Sequence, residues 1–225
     1  MGTHIPLLLV NGAQQGGDNT YIRKHQNSYM PTKFKNVPSS SISPTEADFS
    51  CNKGSTAAVK VFTVKTGDKV GLKQAFGGTG MLHPGPTQVY MSPVSNAASD
   101  KGTGTWHKTI PNGQYLVRGE HISLHGAQNG EAEFYYACAQ LEVTGNTATT
   151  MPGTSVKIPS VYKQADAAVN FSLWGSLTSY NTIPGPDVIP SGTTRGSANG
   201  SSGEKSVTVA GGSSASSDIG SKDDF

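Results

Sequence analysis

Two stretches of this chain gather side chains that hold metals and move protons: the corner His83-Pro84-Gly85-Pro86, and Gln114 to Val143, QYLVRGEHISLHGAQNGEAEFYYACAQLEV. In an extended backbone successive side chains alternate between faces, so His121, Ser123 and His125 share one face while Ile122 and Leu124 share the other. Gly126-Ala127-Gln128-Asn129-Gly130 is turn chemistry. A hairpin pairing His125 with Glu131 sets Ser123 opposite Glu133 and His121 opposite Tyr135, which brings His121, His125, Glu133 and Tyr135 to one face. Two imidazoles, a carboxylate and a phenol as neighbours suit a metal site or the groups that orient its ligands; a sheet face with polar residues turned to water has the same pattern.

The elements that must position these residues read as strands. Leu7-Leu8-Leu9-Val10 ends at Asn11-Gly12, a strand and tight turn, and Thr20–Arg23 is a short extended piece after Gly16-Gly17. Residues 24–50 are rich in Pro, Ser and Asn and read as a long surface loop. Ala57–Thr66 and Lys69–Lys73 flank Gly67-Asp68 as a hairpin, and Thr87–Met91 follows the His83–Pro86 corner as another strand. Lys157–Pro159 and Ala168–Leu173 are further strand candidates before Pro184-Gly185-Pro186 closes the domain. With no sustained helical periodicity, the expectation is one β-sandwich domain over residues 1–190. Residues 191–225, dominated by Ser, Gly, Thr and Ala, are too poor in large apolar groups to offset the entropy of ordering and read as a flexible tail.

Composition narrows the function. A net charge of +2 over 225 residues, with scattered lysines, lacks the clustered basic face that nucleic acid requires. No segment approaches the roughly 20 apolar residues of a membrane span. The two cysteines, Cys51 and Cys138, are too far apart for a zinc knuckle; an even pair suits one disulfide in an oxidising compartment, with two buried thiols as the alternative. Asn170-Phe171-Ser172 and Asn199-Gly200-Ser201 match the N-glycosylation pattern.

In this order the residues resemble the fungal cellulose-active lytic polysaccharide monooxygenases of auxiliary-activity family nine, formerly a glycoside hydrolase family. The resemblance rests on Val10-Asn11-Gly12 with Gln15-Gly16, Tyr21-Ile22-Arg23, Cys51-Asn52, Gly67-Asp68, His83 to Met91, Gly113–His125 and Glu133–Val143. It implies an all-β, immunoglobulin- or fibronectin-like antiparallel sandwich with long loops, and a secreted monomer that oxidises C1 or C4 of cellulose or a related β-1,4-glucan. The reaction it implies uses one copper ion, oxygen or peroxide, and an external electron donor. It implies that His83 is a copper ligand, that Tyr135 is both the long axial ligand and part of the catalytic group with His125 and Glu133, and that Tyr180 stacks on glucose rings. It also implies a disulfide between Cys51 and Cys138.

Three departures accompany the resemblance. The family's leading histidine, which supplies copper with a terminal amine and an imidazole, falls on Gly2, and His4 lies two positions later. The copper brace is therefore expected to be incomplete on the chain as written, and the alternative reading is a non-catalytic copper- or carbohydrate-binding relative. Residue 133 is Glu where the family usually has Gln, and burial without a full cationic partner is expected to raise its carboxyl pKa. The chain after Trp106-His107-Lys108 is shorter than the family's at that point.

Overall fold

The computed structural model describes residues 5, 7–73, 83–107, 111–150, 154–174, 180 and 184–186. Gly2, His4, Asn199 and the proposed 191–225 tail lie outside them. Among the described residues nine strands follow one another: β1 Leu7–Val10, β2 Ala13–Gln15, β3 Phe62–Lys65, β4 Val70–Lys73, β5 Thr87–Val94, β6 Thr105–Trp106, β7 Gly113–Ser123, β8 Glu133–Thr144 and β9 Val156–Lys157. They form a four-stranded sheet in the order β3-β8-β7-β5, a three-stranded sheet β2-β1-β4 and a small pair β6-β9. The expected all-β sandwich is present, antiparallel except where β3 runs parallel to β8.

The long strands β7 and β8 are buried along almost their whole length, because apolar groups cover both faces of the sheet they centre. Tyr115, Val117, Ala137, Ala139, Leu141 and Val143 face β1 and pack with Leu8, Val10 and Val64. Leu116, Ile122, Phe134, Tyr136 and Cys138 point the other way, into a second core with Phe49, Trp106, Ile158 and Tyr162 supplied by loops. Gly119 marks a close approach of the two sheets, since a Cβ there would stand 2.2 Å from Leu72 Cδ1. On the second face Cys51 and Cys138 are joined as a disulfide, with Cα atoms 5.3 Å apart and a sequence separation of 87.

Asn11 and Gly12 both have positive φ and close the β1–β2 turn, as their sequence predicts. The Gly67-Asp68 turn does not make a hairpin. β3 pairs with β8 and β4 pairs with β1, so this turn carries the chain from one sheet to the other. Local turn chemistry is satisfied, with Asp68 accepting from Lys65 and Asn11, while the partners of the flanking strands are decided by burial. Ala168–Leu173 is not a strand either. Val169 and Asn170 donate backbone N–H groups to Asp166 O in a tight turn, which leaves Asn170 exposed.

Candidate functional site

The His83–Pro86 corner is laid along β7 by backbone bonds. Ile122 N–H donates to Pro86 O and Leu124 N–H to Pro84 O, both at 3.0 Å, so the corner continues the line of β5 beside the end of β7. Gly85 is required by contact, because a Cβ would fall 1.8 Å from Ile122 O. His121 completes the anchoring: its Nε2 lies 2.8 Å from His83 O and its Nδ1 3.1 Å from Thr87 Oγ1. With 2 % of its surface exposed, His121 is a buried tether for the backbone that carries His83.

The β7–β8 ladder has the register that the sequence predicts, His121 opposite Tyr135 and Ser123 opposite Glu133. The ladder stops there. β7 ends at Ser123, and Ala127–Asn129 form a single 3-10 turn, so His125 and Glu131 are not a ladder pair; Glu131 N–H instead donates to Gly126 O. The strand ends two residues early, and the His125 ring lies beside that of His83. The two ring centroids are 4.5 Å apart, and the His83 and Tyr135 rings lie 6.4 Å apart and near parallel.

Glu133 and Tyr135, two apart on β8, point to the same side, and the phenol donates to Glu133 Oε2 at 2.6 Å. The other carboxylate oxygen, Oε1, is 3.0 Å from Lys33 Nζ and 3.9 Å from His125 Nε2. His125 Nδ1 is held 2.6 Å from Ser123 Oγ, which leaves Nε2 as the ring nitrogen facing the carboxylate. The His83 pKa is lowered, first by burial and then by the nearby His125, with Glu133 acting in the opposite sense, so this imidazole stays neutral and able to bind a cation. Burial and the bond to Glu133 push the Tyr135 phenol well up and keep it protonated.

The expected rise of the Glu133 pKa is reversed. Burial does push it up, but bonds from Tyr135 and Lys33, with the charges of Lys33 and His125, outweigh burial and hold the carboxyl below its usual range. The cationic partner whose absence that expectation assumed is Lys33. It sits in the long 24–50 loop, where no periodicity marks its position, and only the pairing of Thr32 with Phe134 brings it to Glu133.

Tyr180, expected as a surface tyrosine, is half-buried, with its ring edge against Phe171 and its hydroxyl donating to Ala168 O at 2.6 Å. The most exposed large aromatic among the described residues is Trp174, at 66 %, and its indole N–H donates to His125 O at 3.2 Å. In sequence it stands just past an expected strand, with no motif to single it out.

The donors suit copper in kind: a neutral imidazole on His83, and on Tyr135 a phenol oxygen whose proton is directed at Glu133, leaving its lone pairs for a cation. Among the described residues no group of three or more His, Cys, Asp or Glu side chains can hold a metal unaided, so further donors would have to join His83 and Tyr135.

This chain matches the sequence profile of Auxiliary Activity family 9 (formerly GH61) over residues 3–109 and 107–181. It is 38% identical to AA9 family lytic polysaccharide monooxygenase A of Aspergillus fumigatus, in an alignment covering 84% of this chain and 77% of that one. It is also 38% identical to AA9 family lytic polysaccharide monooxygenase D of Emericella nidulans, covering 88% and 82%. Among solved structures it is similar in fold to Cel61B from Hypocrea jecorina, a glycoside hydrolase family 61 member, with a TM-score of 0.70 at 19% identity over 83% of this chain and 100% of that one. The extended catalytic domain of H. jecorina LPMO9A gives a TM-score of 0.65 at 21% identity, covering 84% and 91%. On the profile match, the identities and the shared sandwich, the chain belongs to Auxiliary Activity family 9, the AA9 lytic polysaccharide monooxygenases.

Proposed function

We propose that this chain oxidatively cleaves β-1,4-glucan, with cellulose or a related glucan as substrate, and that His83 and Tyr135 hold one copper ion while His125 and Glu133 serve the oxygen co-substrate. The family is copper-dependent, and its members are secreted fungal proteins that cleave polysaccharides. No helix among the described residues is long and apolar enough to cross a membrane. The observation that carries the reading is the meeting of His83, His125, Glu133 and Tyr135 at one end of β7 and β8, on a chain of this family.

Copper held by His83 and Tyr135 would supply the one-electron chemistry that activates oxygen or peroxide for hydroxylation of a glucan C–H bond at C1 or C4. The overall reaction takes a glucan C–H, one O2, two electrons and two protons to a C–OH and one water. The electrons come from an external reductant; with peroxide the same product forms without the added pair. The hydroxylated carbon then expels the glycosidic oxygen and the chain breaks.

What the protein contributes is placement. His121 bonds to the His83 carbonyl and so fixes the backbone from which the His83 ring projects. His125, about a third exposed and bonded at Nδ1 to Ser123, presents Nε2 beside the Glu133 carboxylate, and the pair can orient an oxygen co-substrate and exchange a proton with it. Trp174, tied to the backbone of His125, offers a flat aromatic face on which a glucose ring can stack, with Tyr180 as the second candidate.

The test is calorimetric copper titration with product analysis on cellulose and ascorbate. It compares the chain as written, a form rebuilt to begin with His at position 2, and His83→Ala in that form. The expected result is tight copper binding and oxidised cello-oligosaccharides from the rebuilt form, both lost in His83→Ala. Copper binding without oxidised products would assign the chain to the non-catalytic relatives, and no copper binding by any form would remove the reading.

A further inference from the structure

The loop that crosses the start of β8 has the chemistry of a strap. Thr32 and Phe134 exchange backbone hydrogen bonds at 3.0 and 2.9 Å, and Thr32 Oγ1 reaches the Tyr136 hydroxyl at 3.0 Å. Beyond this anchor, Lys33 lies 3.0 Å from Glu133 and 3.5 Å from Glu131. Lys35 lies 3.4 Å from Asn129 O, and Asn36 donates to Glu131 Oε1 at 2.6 Å. These lysine and asparagine contacts all land on the segment that joins His125 to Tyr135. The Lys33 and Glu133 side chains are only 15% and 11% exposed, so the pair is poorly screened by water.

A carboxylate at residue 133 is acceptor-only, whereas an amide both accepts and donates. Glu133 therefore brings a negative charge beside the phenol and needs a donor from elsewhere. Lys33 supplies both requirements on Oε1, which leaves Oε2 to the Tyr135 proton. We propose that Lys33 is a positioning residue that works as a unit with Glu133, neutralising its charge and fixing its carboxylate so that the Tyr135 phenol is held toward the His83 ring. The proposal rests on the functional reading above only in what Tyr135 is held for. The geometry that it explains belongs to the metal-free protein.

The experiment uses the full chain as wild type, Lys33→Met, Lys33→Arg, Glu133→Gln and the double variant Lys33→Met with Glu133→Gln. Ultraviolet resonance Raman of the metal-free proteins, with Tyr135→Phe as the subtraction reference, reads the ring doublet of Tyr135, whose intensity ratio reports a phenol donating strongly to an anion. Paramagnetic resonance of the same proteins with added copper(II) reads the metal's environment, and circular dichroism checks that each is folded. Lys33→Met is expected to raise the doublet ratio toward that of Glu133→Gln and to change the copper spectrum, with Lys33→Arg restoring both. In the Glu133→Gln background, removing Lys33 should change neither. The proposal is overturned if Lys33→Met leaves the doublet unchanged, if it has the same effect in the Glu133→Gln background, or if Arg fails to restore it. A Raman result as expected with no copper bound by any of these variants would support the positioning role, and the copper reading would then stand or fall on the His-initiated form, so the two fail separately.

Discussion

The same two strands carry two clusters of one chemical make-up, a cation, a carboxylate and a phenol, on opposite faces. On one face Arg118 pairs with Glu120, and Glu120 accepts from the Tyr162 hydroxyl, which is 2.7 Å from that of Tyr90. On the other face Lys33 pairs with Glu133, and Glu133 accepts from Tyr135. The first cluster is sealed. Arg118 and Glu120 are 0 % and 1 % exposed, and the guanidinium lies 3.6 Å from the Tyr136 ring centre and 4.5 Å from that of Phe49 while donating to Phe49 O and Ser50 O. The second lies at a rim beside the rings of His83 and His125, the latter with 37% of its side chain exposed. Arginine, always charged and forked, suits the sealed position, where each lost bond leaves a buried charge; lysine suits the rim, where water still helps. Sealing makes the first cluster part of the fold, and opening leaves the second within reach of solvent.

The largest test of this contrast is Arg118→Met. It strands the Glu120 charge in an apolar core, and removing one partner of a buried pair costs about 3–5 kcal/mol. Lys33→Met, in a pair whose side chains keep 15% and 11% exposure, should cost less, about 1.5–3 kcal/mol. Urea unfolding monitored by tryptophan fluorescence gives both numbers. Equal losses would mean that the rim cluster is as structural as the sealed one.

Next in size is the disulfide. Removing it by changing Cys51→Ala and Cys138→Ala together should cost about 2–4 kcal/mol by enlarging the unfolded ensemble. The bond also sits in the sealed cluster: Cys138 is opposite Arg118 on the ladder, and Cys51 follows the Phe49 and Ser50 carbonyls that Arg118 grips. Its loss and Arg118→Met should therefore be non-additive, whereas its loss and Lys33→Met should add. Strict additivity in both pairs would show that the disulfide acts on the unfolded chain alone.

The unequal legibility of the two clusters in the sequence has a physical reason. Period-two alternation and a turn at 126–130 are enough to place His121 opposite Tyr135 and Ser123 opposite Glu133, because strand register is local information. The Asn11-Gly12 hairpin is legible for the same reason. The family resemblance, rather than spacing, supplies His83 and the pairing of Cys51 with Cys138. What escapes is long-range. Lys33 is a hundred positions from Glu133 in sequence and reaches it only through the Thr32–Phe134 bridge. The Gly67-Asp68 turn reads as a hairpin because a turn does not say which sheet its second strand joins. Tyr162, which completes the sealed cluster, comes from a segment with no strand pattern at all.

The smallest expected effect separates the clusters by pH. Glu133 has a folded pKa below its ordinary value, so the folded state binds its proton less readily than the unfolded chain. The stability that this carboxylate contributes is present above the ordinary carboxylate range, and it is lost as pH falls through the depressed folded value. Glu133→Gln removes the titrating group, so the stability gap between wild type and this variant should shrink as pH is lowered from neutral toward about 3. Burial is the first influence on Glu133 and acts upward, and the downward shift is the combined work of Tyr135, Lys33 and His125. In a Lys33→Met background the opposing influences are weaker, so the gap should start smaller at neutral pH and close at a higher pH. Urea midpoints for the four proteins, measured at intervals between about pH 3 and 7, give both gaps. A wild-type gap that widens on acidification would mean that the carboxyl is raised in the folded protein. A closing pH unaffected by Lys33 would mean that Tyr135 and His125 suffice to hold Glu133 ionised, leaving the rim cluster's cation without the part that Arg118 plays on the opposite face.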